Sequence, residues 1–277
     1  AVIGGGTMGN GIAHVCAMSG YEVILIEQSD ELLDKAIGVI SKNLDRMVKK
    51  EKITEQDKAD TLVRISKSTN LEDSKNAQLV IEAVYENLDI KLDLFKKLDS
   101  ICPPDVILAS NTSSIPITKL ATATKRPGKV IGMHFMNPVP MLKLVEMIKG
   151  FATDDEVFET ATELAKRLNK IPIPANDYPG FIGNRILMPM INEAIQALFE
   201  GVGTAENIDS VLKLGMAHPM GPLTLADFIG LDVCLAILEV MHDGFGNPKY
   251  QPCPLLIKMV EAGFLGRKTG RGFFKYT

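Results

Sequence analysis

Apolar residues recur along this chain in two rhythms, short continuous runs of strand length and apolar positions three or four residues apart, and the two alternate until about residue 170. The opening stretch "AVIGGGTMGNGIAHVCAMSG" is a short apolar run, a glycine-rich turn and then apolar residues at helical spacing up to Gly20; "YEVILIEQ" follows as a second buried strand. Further apolar runs at residues 77 to 84, 106 to 113, 129 to 135 and 142 to 148 read as strands. Helical patterns separate most of them, "NLDIKLDLFKKLDSI" being the clearest. That order predicts an α/β domain over residues 1–178, a Rossmann-like doubly wound sheet with mostly parallel strands. "IPIPANDYPG" reads as a linker. Beyond it only the helical rhythm remains, over 182 to 200, 205 to 214, 222 to 243 with a break near Gly230, and 253 to 263, an all-α domain over residues 179–277. Met188, Met190, Ile191, Ile195, Leu198, Leu225, Phe228, Leu231, Leu235 and Ile237 give those helices more apolar surface than one small bundle can cover. A subunit interface is expected to bury the surplus.

Composition narrows the class. At 277 residues, 46% hydrophobic and 23% charged, the chain can bury two ordinary cores, which excludes disordered and fibrous classes. No apolar run approaches the roughly 18 residues of a membrane span. Cys16, Cys102, Cys234 and Cys253 are scattered with no metal-ligand spacing, so free thiols in the cytoplasm are expected, and no metal site. A formal charge of -4 gives no reason to expect nucleic acid. The chain opens at Ala1 already inside an apolar run, which points to further residues ahead of it.

Gly4, Gly6 and Gly9 fill the glycine positions of G-x-G-x-x-G between strand and helix, where backbone amides, including those of Thr7 and Met8, can hold a pyrophosphate. Glu27 ends the second strand near the roughly 20-residue offset at which an acidic residue grips the adenosine ribose diol. A carboxylate there repels a ribose 2′-phosphate, and Gln28, Ser29 and Asp30 supply no Arg to hold one, so the expected cofactor is NAD(H) rather than NADP(H).

"GMHFMNPVPMLKLVEMIKG", residues 132–150, is apolar except for a few groups, His134 and Glu146 chief among them. With "NPVP" as a hairpin turn centred on Pro140, the two stand opposite each other across an antiparallel pair. A carboxylate on one imidazole nitrogen fixes the tautomer and favours the charged ring, leaving the other nitrogen to exchange a proton. From the pair alone, a satisfied core ion pair and a catalytic dyad remain equally open. Because ligands of such sheets meet the carboxyl ends of the strands, Glu86, Ser113 and His134 should lie along one edge.

In chain order the sequence carries "VIGGGTMGNGIA", "EAVYENLDIK", "SNTSS", "HFMNPVPMLKLVEM", "PGFIGNRI", "HPMGPLTLADFIGLD" and "GRKTGRGFF". With these motifs it resembles the L-3-hydroxyacyl-CoA dehydrogenase family from end to end, and within it the short-chain bacterial 3-hydroxybutyryl-CoA type. The resemblance implies that His134 is the catalytic acid/base, Glu146 its orienting partner, and Ser113 and Asn184 neighbours of the reacting oxygen and of substrate. Ser113 and Asn184 could otherwise be helix caps. It also carries Glu86, Lys91, Asn111 and Asn137 into the cofactor site, although Glu86 and Lys91 could equally be an exposed pair at a helix start and Asn137 a turn former. It implies a helical arm after the second strand that faces CoA. There Lys42, Arg46, Lys49 and Lys50 form a basic stripe at i, i+4, i+7 and i+8, with Arg46 and Lys50 the candidate contacts to CoA phosphates and a solvated face the plain alternative. His14, His218 and His242 have no ligand neighbours and read as packing or surface residues. The expected partners are an acyl-CoA such as acetoacetyl-CoA and a second copy of the chain, joined through the C-terminal helices. A dehydrogenase of a free hydroxy acid or sugar acid on the same scaffold, and a nonenzymatic nucleotide-binding protein, are the competing readings.

Overall fold

A computed structural model describes residues 1–276; Thr277, the last residue of the expected helical domain, lies outside the described residues. The chain divides into two compact units, residues 1–177 and 178–277.

The first unit runs β1 (Val2–Ile3), α1 (Thr7–Met18), β2 (Val23–Ile26), α2 (Asp30–Lys49), α3 (Glu55–Val63), β3 (Ile65–Ser68), β4 (Leu79–Glu82), α4 (Leu88–Ile101), β5 (Ile107–Ser110), α5 (Ile117–Ala121), β6 (Val130–Phe135), β7 (Leu144–Lys149), α6 (Asp155–Arg167) and β8 (Ile171–Asn176). Its eight strands form one sheet in the order β3-β2-β1-β4-β5-β6-β7-β8. Every neighbouring pair is parallel except β6 with β7. The order reverses direction between β1 and β4, the switch point where the loops leaving two adjacent strands diverge and a ligand can enter. The core of the unit, with Leu25, Ile81, Ile131 and Met147 from the strands and Ile12, Leu33, Ile40 and Ala161 from the helices, is buried on the sheet.

Local chemistry explains the elements. α2 is amphipathic: Leu33, Ala36, Ile40 and Leu44 are buried, Ser29 caps the first turn by accepting from the Leu32 amide, and Asp30 and Glu31 open the helix while Arg46 and Lys49 close it, matching its dipole. α3 starts at a reciprocal capping box between Thr54 and Asp57. These two helices follow β2 as the expected arm.

Two strands escape the apolar-run reading. β3 carries Ser66, Lys67 and Ser68 around one buried residue, Ile65, so it has no apolar run to notice. β8 occupies the stretch read as a linker, because its prolines suggested irregular backbone. It is an edge strand, parallel to β7, in which the Ile171 amide donates to Lys143. Pro172 and Pro174 fall on the alternate positions whose amides would point to the open edge, so no ladder bond is lost and the edge is blunted.

The second unit contains α7 (Gly183–Phe199), α8 (Ala205–Gly215), α9 (Pro222–Ile229), α10 (Leu231–Phe245) and α11 (Pro254–Glu261). The expected break near Gly230 is present: this residue has φ +106°, a conformation that suits glycine, and ends α9 against α10. Buried Asp209 caps α9 through the Leu223 and Thr224 amides at 2.8 and 2.9 Å. Asp227 gathers the Phe273 and Phe274 amides and the Tyr276 hydroxyl, fastening the C-terminal residues to α9. Of the residues counted toward the apolar excess, Met188, Ile191, Ile195, Leu231 and Ile237 fill the core of this unit. The exposed apolar surface consists mainly of others: Ile186, Phe199, Val202, Val211, Leu214 and Met216, with Phe228 shared by both sets. Among the described residues no helix is long and apolar enough to cross a membrane.

Candidate active site

The glycine turn is shaped for close approach. Gly4 has φ +97° and a Cβ there would meet the Ala83 carbonyl oxygen at 2.7 Å, so the turn after β1 lies on the residue after β4. A Cβ on Gly9 would fall 1.7 Å from the Gly4 oxygen, whereas one on Gly6 would meet nothing within 4 Å. Gly9 is therefore required for packing of α1 on the turn, and the open side of the turn is at Gly6. α1 starts at Gly6 with no side-chain cap, and Gly6 and Thr7 are exposed. Amides at a helix start under open space fit a pyrophosphate. Beside them the Glu27 carboxylate accepts from the Gly5 amide at 2.8 Å and the Gln28 amide at 2.7 Å, which fixes it at the end of β2 with lone pairs remaining for a ribose diol.

Farther along the same edge, β6 and β7 pair in the register foreseen from the turn centre, with His134 opposite Glu146. His134 Nδ1 and Glu146 Oε2 are 2.7 Å apart, and the side chains are 11% and 2% exposed. The hairpin end is held from below: Lys170, itself buried, donates to the carbonyls of Val139 and Leu142. Gly11 of α1 leaves room for Val139, since a Cβ would stand 2.8 Å from that side chain. Asn137 is exposed in the turn. Asn111, after β5, accepts from the Phe135 amide at 2.9 Å, so it also ties the neighbour of His134 to β5.

Glu86 and Ser113 are together as well. One Glu86 oxygen accepts from the Thr112 hydroxyl at 2.5 Å, the Ser113 amide at 3.0 Å and the Ser114 hydroxyl at 3.2 Å, with the Ser113 hydroxyl at 3.5 Å. The other lies 3.1 Å from Lys91 Nζ. Burial works to raise the Glu86 pKa, but the Lys91 charge and the bonds from Thr112, Ser113 and Lys91 outweigh it and hold the carboxyl below its ordinary value. Ser113 is not a helix cap, since Pro116 holds that position before α5. Nor is Lys91 half of an exposed surface pair: its side chain is 1% exposed.

The sequence reading missed Glu82. It is fully buried, 2.5 Å from Lys91 Nζ through one oxygen and 2.6 Å from the Ser110 hydroxyl through the other. A carboxylate on the last residue of an apolar strand was the available signal. Arg46 and Lys50, with Lys42 and Lys49, are all exposed on α2 and its C-cap. Asn184 belongs to the second unit, in the first turn of α7, where Ile182 takes the N-cap position. His14 is buried on α1, whereas His218 and His242 are half-buried in the second unit.

Two family models match. Residues 1–178 match the 3-hydroxyacyl-CoA dehydrogenase NAD binding domain and residues 180–276 the C-terminal domain of the same family. A probable 3-hydroxybutyryl-CoA dehydrogenase of Deinococcus radiodurans is 58% identical over 99% of both chains. The 3-hydroxybutyryl-CoA dehydrogenase of Clostridioides difficile is 52% identical over 100% of this chain and 98% of its own length. The crystal structure of (S)-3-hydroxybutyryl-CoA dehydrogenase from Ralstonia eutropha superposes with a TM-score of 0.96 at 51% identity, covering 100% of this chain and 98% of that one. With both family models matched and these relatives covered over 98–99% of their length, the chain belongs to the 3-hydroxyacyl-CoA dehydrogenase family.

Proposed function

We propose that this chain catalyses reversible hydride transfer between NAD(H) and C3 of a short-chain acyl-CoA, interconverting acetoacetyl-CoA and 3-hydroxybutyryl-CoA. The observation that carries the reading is the buried His134–Glu146 pair, 2.7 Å apart at the carboxyl edge of the sheet that bears the glycine turn. Gly4, Gly6 and Gly9, with the amides of Thr7 and Met8, hold the pyrophosphate, and Glu27 holds the adenosine ribose and disfavours a 2′-phosphate. Glu86, Lys91, Asn111 and Asn137 line the rest of the cofactor path. The bound dinucleotide supplies the hydride.

Each remaining step belongs to side chains. As negative charge develops on the C3 oxygen, His134 donates a proton from Nε2; in the oxidative direction it takes that proton back. Glu146 keeps the Nδ1 proton facing inward, so that Nε2 is the nitrogen that works, and stabilises the ring when charged. The Ser113 hydroxyl is a hydrogen-bond donor to the developing oxyanion, and Asn184 keeps the role the resemblance gives it, an amide donor to the same oxygen. Arg46 and Lys50 on the exposed basic face meet CoA phosphates. The protein acts as a homodimer in the cytoplasm, where its four unbridged cysteines remain thiols. An apolar groove of about 460 Å³ between α7 and α8, lined by Met190, Ala194, Ala197, Val202, Ile208 and Val211, continues into the exposed apolar surface of the second unit and supports dimerisation through it.

The test is the loss of NADH absorbance with acetoacetyl-CoA, free acetoacetate and, in a separate run, NADPH in place of NADH. Turnover that needs both the CoA moiety and NADH supports the reading; equal turnover of free acetoacetate contradicts it.

A further inference from the structure

One buried charge of the first unit has no part in the proposed chemistry. Lys170 stands between α6 and β8, and its main chain is fixed on both sides. Its amide donates to the Ala165 carbonyl at 3.0 Å, Asn169 turns the chain at φ +57°, and the Ile171 amide bonds Lys143 at 2.7 Å. The residue is 7% exposed, and burial pulls the pKa of its ammonium down. Desolvating such an ion costs several kcal/mol, a cost that a methionine of about the same length would avoid while filling the same space. What the charge adds is a pair of bonds. Its Nζ donates to the carbonyls of Val139 and Leu142, the latter at 2.8 Å. Both carbonyls belong to the turn, residues 136–143, that joins β6 to β7 and carries Asn137. Within the turn the Pro138 oxygen accepts from the Met141 and Leu142 amides at 3.0 Å each. Val139, 2% exposed, fits over Gly11 of α1, where a Cβ would stand 2.8 Å from the Val139 Cβ. His14, three residues further along α1, has its pKa lowered by burial and then by the Lys170 charge. The ammonium therefore lies beside both the helix that opens at the glycine turn and the turn that carries Asn137.

We propose that Lys170 is a positioning residue: by drawing the carbonyls of Val139 and Leu142 onto one ammonium it seats the β6–β7 turn on α1 and sets the place of Asn137 relative to the glycine turn, without touching substrate or cofactor. The inference rests on the dehydrogenase reading only for the use made of Asn137. Without the ammonium the two carbonyls lose a strong donor in a place that water reaches poorly, and the turn shifts or opens until they find another. Val139 then leaves its seat over Gly11, and Asn137, two residues before it, moves with the turn. His134 and Glu146 are less affected, because the ladder of β6 and β7 holds them in register below the turn.

Two readouts on the full-length protein separate this role from general stability. Lys170→Met should speed amide hydrogen exchange of Met141 and Leu142 by roughly tenfold or more, a local opening that needs no ligand to read. The same variant should lower kcat/KM for NADH by roughly tenfold, the scale of a misplaced binding group, with little change in the KM for acetoacetyl-CoA. Asn137→Ala should lower kcat/KM for NADH as well. Lys170→Met combined with Asn137→Ala should be no worse than Asn137→Ala alone, because two residues that act in series are not additive. Lys170→Gln, which keeps an amide donor on a shorter stem, should fall between the parent and Lys170→Met in both readouts, and it takes the place of Lys170→Met if that variant does not fold. Unchanged exchange at Met141 and Leu142 in a folded variant overturns the proposal. So do losses that multiply in the double variant, the result for a residue that only stabilises the fold. Fast exchange in Lys170→Met made from a parent that has no acetoacetyl-CoA activity defeats the dehydrogenase reading and leaves the seating of the turn by Lys170 standing.

Discussion

His14 gives a prediction whose size follows from its surroundings. Its side chain is fully buried on α1, and neither ring nitrogen has a hydrogen-bond partner among the described residues. Burial first, and the Lys170 charge second, lower its pKa from 6.5 to about 4. Above pH 6.5 the ring is neutral in both the folded and the unfolded chain and adds no pH dependence. Below 6.5 the unfolded ring binds a proton that the folded ring refuses until about pH 4, so stability falls through that window and then levels. At about 1.36 kcal/mol per pH unit the loss comes to about 3 kcal/mol. His14→Leu removes the titration and two unsatisfied buried atoms, each of which costs about 1–3 kcal/mol, in exchange for a side chain of comparable bulk in a helix. The assay is the urea midpoint of parent and variant at steps between pH 8 and pH 4.5. The variant should be at least as stable as the parent near pH 8 and should pull ahead by a further 2 to 3 kcal/mol, roughly, by pH 4.5. A gap that stays constant across the series refutes the reasoning, because a neutral buried ring is its source.

Three further outcomes follow from the geometry. Gly9→Ala should abolish NADH binding, measured by fluorescence titration, because its Cβ would lie 1.7 Å from the Gly4 oxygen and only a shift of the turn relieves that clash; unaltered affinity contradicts the cradle. Lys50→Ala should raise the KM for acetoacetyl-CoA and leave NADH affinity alone; unchanged kinetics would make the exposed stripe an ordinary solvated face. The protein should sediment as a dimer at micromolar concentration, and Leu214→Glu, at a residue 86% exposed on α8, should shift it toward monomer; a monomeric parent contradicts the interface.

Much of the first unit was legible because its chemistry and its hydrophobic pattern coincide. The glycine turn, the strands at 77–84 and 129–135, and the opposition of His134 and Glu146 all follow from period and turn position. β8 was hidden because prolines are poor strand formers except where, as at Pro172 and Pro174, the missing amides face an open edge. Glu82 was hidden because one carboxylate at the end of "LVIE" is unremarkable until Lys91 is seen to fold back onto it from α4, nine residues on. Composition of the second unit foretold surplus apolar surface but could not tell which helix faces carry it. Met188 and Ile195 face the core of that unit, and Val211 and Leu214 face out.

The central claim is that His134 moves the proton and Glu146 orients it. Single-turnover reduction of acetoacetyl-CoA by enzyme-bound NADH, with the melting temperature measured on the same preparations, tests this most directly. His134→Gln should slow the step by roughly 100-fold or more with NADH binding intact, Glu146→Gln should slow it nearly as much, and the double variant should be little worse than His134→Gln, because the two act as one unit. A Glu146→Gln protein that melts earlier yet turns over at the parent rate per folded molecule would contradict the account and make the pair structural.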